Sequence, residues 1–416
     1  MRANQIFRVV GLLFIFLFVS PAICPSSKAA EFIPLSDLAG GGFESRAFGV
    51  SADGTFVVGA SSSASGWEAF RWSATDQMQG LGDLPGGYFD SEAYAVSNDG
   101  SVVVGRGAVR YVGFFETIDY YEAFYWTPEN GIDYFFTSTG LGYWGDSFAH
   151  AVSADGSAIA GLMAMQSTSG GYESYHGFCT TSNGILWFTN PSNYLSSATS
   201  GANGISGDGS MVVGWISQDA PLGGVTPIEA FKWTASEGTI GLGFLDPAHP
   251  ASNALAISSD GNVVVGNSNV GSAFNSHPEA FCWTQQEGMV GLGTLNPALN
   301  SSTTAWAVSG DGSIIVGEDS SPWPRISKSE AFIWDDFHGM RNLQEVLEND
   351  YGLDLSSWTL QAARGISFDG TKIIGYGINP SGHTEAWLVN IPEPSTVSLL
   401  SLGLVLFGRK KYHRSL

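Results

Sequence analysis

Three observations predict an all-β chain, a seven-bladed β-propeller of four-stranded antiparallel blades. One pattern returns seven times within the 416 residues. Each return carries four short strand signals and an Asp-Gly turn, the composition of radially repeated sheets. The two ends of the repeat region, finally, are complementary pieces of one unit.

The pattern reads Ala-x-[Gly/Ala]-[Val/Ile]-Ser-x-Asp-Gly, an aliphatic pair and Gly, then Glu-Ala-Phe-x-Trp, then Leu-Gly-x-Leu. Its Asp-Gly dipeptides begin at Asp53, Asp99, Asp155, Asp208, Asp260, Asp311 and Asp369. The first strand of a unit ends at the Ser before Asp-Gly, as in Ala47 to Ser51. Asp-Gly supplies the positive φ that a tight hairpin needs. Phe56-Val57-Val58-Gly59 is the second strand, and Glu68-Ala69-Phe70-Arg71-Trp72 the third, with Phe70 and Trp72 on one face by the two-residue period. The fourth is expected at Leu81-Gly82-Asp83-Leu84. Small residues in the first strand let the neighbouring sheet approach, and the Phe/Trp pair fills the space between. Only Leu343 to Leu347 has a helical look. A β-solenoid is the rival architecture, but its coils are shorter and need no Asp-Gly hairpin.

The last unit stops at Glu385-Ala386-Trp387-Leu388-Val389, without a fourth strand. The segment Ile33-Pro34-Leu35-Ser36-Asp37-Leu38 matches Leu81-Gly82-Asp83-Leu84 and its surroundings, so the N-terminal strand should complete the last blade and close the ring. That places the propeller at residues 31–390.

The flanks read as addresses. Arg2 and Arg8, the apolar run Val9 to Val19 and Ser27-Lys28-Ala29 form a signal peptide over residues 1–29, with cleavage at Ala29. At the other end Pro392-Glu393-Pro394 precedes the short apolar run Ser395 to Phe407, then Arg409-Lys410-Lys411. Those cations would hold that end on the cytoplasmic side, as a transient transmembrane helix. This C-terminal order over residues 391–416 resembles the PEP-CTERM sorting signal of Gram-negative bacteria. The resemblance implies recognition by an exosortase, in species that make exopolysaccharide, and delivery to the cell surface or extracellular space. The repeats themselves resemble the HAF family of extracellular repeats over about 360 residues, a family that implies no particular activity. The third unit departs from the pattern, with His176-Gly177-Phe178-Cys179-Thr180 in place of Glu-Ala-Phe-x-Trp, and the sixth carries Leu343-Gln344 and an insertion through Trp358.

Composition narrows the function. Residues 31–391 hold 10 Lys/Arg against 38 Asp/Glu, a net of −28, which repels phosphate backbones and argues against a nucleic-acid partner. Cys24 falls in the signal segment, and Cys179 and Cys282 occupy equivalent strand positions in non-neighbouring units, so they read as small buried hydrophobes rather than a disulfide. No EF-hand loop, His-Glu-x-x-His, Gly-x-Ser-x-Gly elbow or Rossmann context is present, so no catalytic residue, metal site or cofactor is assigned. Glu68, Glu122, Glu229, Glu279, Glu330 and Glu385 recur at one unit position, as a scaffold hydrogen bond would and a single catalytic acid would not.

Two candidate ligand surfaces remain. Long, variable connections carry aromatics, among them Tyr111, Phe114, Phe115, Tyr120 and Tyr121, then Tyr172, Tyr175 and His176, then Trp323 and Arg325. The second is the position after the repeat Ala, which holds Phe48, Tyr94, His150, Asn203, Leu255, Trp306 and Arg364 between nearly uniform neighbours. It either lines the mouth of a central channel or packs between blades. A non-enzymatic binding or structural propeller follows as the leading expectation, with polysaccharide or surface proteins as partners. A polysaccharide hydrolase or lyase, or a protein–protein adhesion module, are the alternatives.

Overall fold

The structure, a computed structural model, describes residues 29–112, 117–135, 145–165, 174–181, 184–188, 198–217, 227–272, 275–297, 300–321 and 328–392. The expected signal peptide before Ala29 and the sorting residues Glu393, Pro394, Arg409, Lys410 and Lys411 lie outside the described residues, while Pro392 is the last one within them. Among the described residues no helix is long and apolar enough to cross a membrane.

Residues Ala30–Ile391 form seven four-stranded antiparallel sheets, each built from consecutive strands except the last. The innermost strands are Gly40–Val50, Ser91–Val96, Ser147–Val152, Thr199–Ile205, Ser252–Ile257, Ser302–Val308 and Thr359–Ile366. Each of these touches the next, and Thr359–Ile366 touches Gly40–Val50, so the blades close into a ring. The seven-bladed propeller is therefore as expected. The one described helix, Leu343–Asn349, begins where the sequence looked helical; Asn342 caps it by accepting the Glu345 N–H at 3.2 Å.

Closure takes the form the chain ends foreshadow. Glu31–Pro34 pairs antiparallel with Thr384–Asn390, Ile33 opposite Leu388 and Pro34 opposite Trp387, as the outer strand of the seventh blade. The recurring Glu makes the same bond on both sides of this seam. Glu68, Glu229 and Glu279 each accept the backbone N–H fourteen residues on, from Gly82, Gly243 and Gly293, at 3.1 Å. In the last blade Glu385 accepts the Ser36 N–H at 3.1 Å, across 349 residues of chain. In these four blades the carboxylate ties the third strand to the chain leaving the fourth.

One boundary is corrected. The fourth strand of the first blade is Gln77–Gly82, not Leu81 to Leu84, and its counterparts end at Gly241 and Gly291. The Glu carboxylate takes the next glycine's N–H away from the ladder. Gly82, Gly243 and Gly293 then turn the chain at φ of 90°, 81° and 79°, so the strand ends at or just before the Leu-Gly pair and the residues after that glycine form an exit loop.

The core lies between blades. Phe70, Phe124, Phe178, Phe231, Phe281 and Phe332 are fully buried, with Trp387 in the seventh place. Each sits directly across from a glycine inside the second strand, from Gly59 opposite Phe70 to Gly375 opposite Trp387. In the first blade that strand runs on past the expected Phe56 to Gly59 as far as Ser63. That glycine is needed for close approach: a Cβ at Gly59 or Gly105 would collide with the inner-strand carbonyl of Arg46 or Glu92. Cys179 is buried, which pushes its thiol up to about 12, and burial likewise raises Cys282 to about 11, so both are inert packing residues.

Hydrogen bonds between blades complete the scaffold. In six blades a hydroxyl two residues before the repeat Ala accepts the N–H of the preceding blade's third strand, as in Ala69 to Ser91 at 3.0 Å and Ala280 to Thr303 at 2.8 Å. The seventh has Gln361 at that place, its carbonyl accepting from Ser329. Ala386 N–H donates to Ser45 at 3.1 Å to do the same across the seam. Within each Asp-Gly turn the Ser hydroxyl donates to the Asp carboxylate at 2.6–2.7 Å. The turns also bond to one another: Asn98 N–H to Ala154 O, Ala154 to Gly207, Gly310 to Phe368 and Phe368 to Ala52, at 2.8–2.9 Å.

Two stability outcomes follow. Leu35, 2% exposed and held under the seam, should cost about 2–5 kcal/mol on Leu35→Ala, read as a lowered midpoint in urea unfolding. The Ser101 and Ser153 hydroxyls, with neighbouring N–H groups, hold Asp99 and Asp155 down to about 2. A depressed carboxyl favours the fold above its unfolded value and loses that contribution as pH falls through the folded one. Thermal stability should therefore drop between about pH 4 and pH 2, with a shallower acid limb in the double variant Asp99→Asn/Asp155→Asn, measured by scanning calorimetry.

Candidate functional site

Every inner strand carries a register shift at the same place: Ala47/Gly49, Ala93/Ala95, Ala149/Ala151, Ala202/Gly204, Ala254/Ala256, Ala305/Ala307 and Ala363/Gly365. The residue skipped in each is the variable position singled out by sequence. It is the extra residue of a β-bulge, unpaired in the ladder and re-aimed by it. The bulge gives this one residue per blade to the axis, while its alanine and glycine neighbours stay in the packing.

All seven bulge residues meet around one cavity. Phe48, Tyr94, His150, Asn203, Leu255, Trp306 and Arg364 line a space of about 360 Å³. A smaller chamber of about 230 Å³ adjoins it on the side of the Asp-Gly turns, sharing Phe48, Asn203, Leu255 and Arg364 with it and otherwise walled by aliphatic residues such as Val50, Val96, Val152, Ile205, Ile257 and Ile366. These side chains line the cavity and also touch the neighbouring blades, as Phe48 does Tyr94 and Arg364 does Trp306, so both roles expected of this position meet in them.

The ring is lopsided. Arg364 lies over the Trp306 ring with its guanidinium carbon 3.4 Å from the centroid, and 5.8 Å from the Phe48 centroid on the other side. Phe48, Tyr94, His150 and Phe148 then succeed one another at 5.9–6.0 Å between ring centroids. The opposite arc holds only Asn203 and Leu255. There the Asn203 amide donates to Asn253 Oδ1 at 2.7 Å and to the Ala254 carbonyl at 2.8 Å.

Each polar member has a distinct state. His150 Nδ1 lies 3.0 Å from the Ala202 carbonyl, which can only accept, so Nδ1 carries the proton. Burial lowers the imidazole's pKa and favours that neutral form. Tyr94 donates to Glu92 at 2.7 Å, and burial raises its hydroxyl well above the ordinary value. Glu92 is saturated by Trp67 at 3.0 Å and by Arg106 at 3.1 Å, so it braces Tyr94 rather than acting as a free acid. Among the described residues Arg364 has no hydrogen-bond or ion-pair partner, and its Nε is buried. Burial pushes its pKa down, against the attraction of Glu318. Burial in turn raises Glu318, opposed by Arg364 and by the Trp306 indole N–H, which approaches it without closing a hydrogen bond of good geometry.

The loop candidates fare differently. Tyr121 is tied down, with its hydroxyl 2.8 Å from Tyr88 and 2.9 Å from Asp90, and Arg106 stacked at 4.2 Å from its ring. Its ring is 6.4 Å from Phe148, which extends the aromatic track outward from the channel. The Tyr111 side chain, Phe114, Phe115, Tyr172, Trp323 and Arg325 lie outside the described residues. His176, at the Glu position of the third blade, is buried beside the Ser174 hydroxyl at 2.9 Å. Among the described residues no group of His, Cys, Asp and Glu is placed to hold a metal ion. Sequence reasoning missed Phe148, Arg106 and Glu318; the first two precede or follow repeat positions without any periodic signal of their own, and Glu318 follows the second-strand glycine.

No family model matches the chain, and no curated protein does. Among solved structures it is similar to the β-propeller domain of the Trilobed protease from Pyrococcus furiosus, at 9% identity and a TM-score of 0.48, over 84% of this chain and 94% of that one. It is also similar to TolB from Acinetobacter baumannii, at 12% identity and 0.40, over 82% of each. Acylaminoacyl peptidase from Pyrococcus horikoshii matches at 9% and 0.46, over 80% of this chain and 50% of that one. None of these likenesses bears on the chemistry of the channel.

If the bulge residues are surplus to packing, Trp306→Ala and Asn203→Ala should each shift the melting temperature by no more than about 1–2 °C, the scale of a 1 kcal/mol change in a propeller of roughly 360 residues. Phe332→Ala, in the core of the same blade as Trp306, should cost about 3–5 kcal/mol by comparison.

Proposed function

We propose that this is an exported, surface-sorted binding propeller, without enzymatic activity of its own, whose channel mouth takes a glycan of the exopolysaccharide or biofilm matrix. One observation carries the reading: seven positions that the scaffold releases from pairing converge on a single cavity and differ in chemistry, while their neighbours are almost identical. Aromatic rings along one arc suit the C–H faces of sugars, and Asn203 and His150 supply polar edges. The N-terminal signal and the Pro392-Glu393-Pro394 tail, with an exosortase as its reader, support delivery outside the cell.

A hydrolase or lyase acting on polysaccharide is the second reading, favoured by Glu318, a carboxyl raised by burial close behind the ring. A glycan array combined with a reducing-end release assay distinguishes the two. Binding without release is expected, and Trp306→Ala should weaken retention on the array. Release of reducing ends would establish the enzyme instead, and neither binding nor release would leave protein–protein adhesion.

A further inference from the structure

We propose that the channel selects a carboxylate-bearing sugar, a single hexuronate unit or an acidic chain end, with Arg364 pairing the carboxylate and Trp306 and Phe48 flanking the ring. The inference rests on the channel being the ligand site and names the class of ligand it takes. The cavity, about 360 Å³, is at the small end of the roughly 300–1,000 Å³ usual for small-molecule pockets, so it suits one or two sugar rings rather than a threaded polymer.

The decisive group is Arg364. A guanidinium has five donors and no acceptor, and one set this deep normally has a carboxylate partner. Among the described residues none is engaged: the side chain has neither hydrogen bond nor ion pair there, its Nε is buried, and stacking on Trp306 fixes its plane. Stacking uses the face of the guanidinium and leaves the edge donors for an oxygen pair, the geometry that a planar carboxylate meets bidentately. A neutral hydroxyl meets these donors one at a time, whereas a carboxylate meets two at once and carries the opposite charge.

The charges around it set the size of the ligand. Glu318, from the neighbouring strand, attracts Arg364 without pairing with it, and Glu92 is occupied by Arg106, Tyr94 and Trp67. The net of −28 over residues 31–391 repels a long polyanion. Screening at about 8 Å in physiological salt lets one recessed carboxylate sense Arg364 more than that field. The adjoining chamber shares Arg364 and Asn203 with the ring and is otherwise walled by aliphatic residues such as Val96, Ile205 and Ile257. Among the described residues Arg364 is the one cation in its lining, and the acid group is held there.

Isothermal titration of the protein with sodium glucuronate, glucose and sodium acetate tests this. Glucuronate should bind one per chain, at least about tenfold more tightly than either glucose or acetate, and Arg364→Gln should remove that advantage. Arg364→Lys should keep part of it, and melting curves confirm that both variants fold. Glucose binding as tightly as glucuronate, with both lost in Trp306→Ala, would overturn the acidic preference while leaving the channel as the site. An undiminished glucuronate affinity in a folded Arg364→Gln would overturn it too. Array binding that Trp306→Ala leaves unchanged, with no glucuronate uptake, would remove the channel reading itself.

Discussion

Everything in this molecule depends on the seventh blade being made from both ends of the chain. Six blades are local: consecutive strands, short turns, a Phe opposite a Gly. The seventh is finished only when Glu31–Pro34 lies beside Thr384–Asn390. Without that strand the last sheet would present an open edge, and Leu35, Ile33 and Leu38 would lose the Leu388 and Ala386 surface they cover. The carboxylate of Glu385 and the hydroxyl of Ser45 then repeat, across the seam, bonds that other blades make within a few dozen residues. A ring needs every interface to be equivalent, and here the joint between first and last is built from the same parts as the rest.

Within that ring, a bulge at one fixed place separates scaffold from lumen. The second-strand glycine and the bulge occur together: Gly59 faces Ala47, and the register slips immediately after it. The alanine stays in the ladder against the glycine, and the following residue is put out toward the axis. Its side chain has no ladder partner to match. That is why Phe, Tyr, His, Asn, Leu, Trp and Arg can occupy one structural position in seven otherwise similar blades, and why the channel has an aromatic, cationic side and a plain one.

Much of this was legible in the residues. The Asp-Gly turns announced themselves because only a positive φ explains glycine at that place seven times, and the chain ends because their motifs were halves of one unit. The ring was visible as contrast, variety at one position between uniform neighbours. The bulge was not, since a one-residue slip leaves no mark in a pattern that slips identically in every repeat. The fourth strand was placed too late because Leu-Gly-x-Leu is apolar and regular, and only the Glu-to-glycine bond reveals its later residues as a loop. The Ser and Thr that accept N–H groups from the adjacent blade looked like ordinary strand residues, because their partners lie more than twenty positions away. The lone state of Arg364 depends on residues of three blades, Glu318, Tyr376, Tyr94 and Glu92, and has no sequence signature at all.

The shared blade also sets an order of events. The strand Glu31–Pro34 is among the first parts of the propeller to be synthesised, and its partner Thr384–Asn390 among the last. A ribosome or a translocation pore releasing the chain from its N-terminus must therefore expose an unpaired first strand until some 350 residues have followed it. The wheel shuts only on completion. A truncated product, lacking its final strands, stays ajar and open to proteases, so closure doubles as a check on the length of the chain.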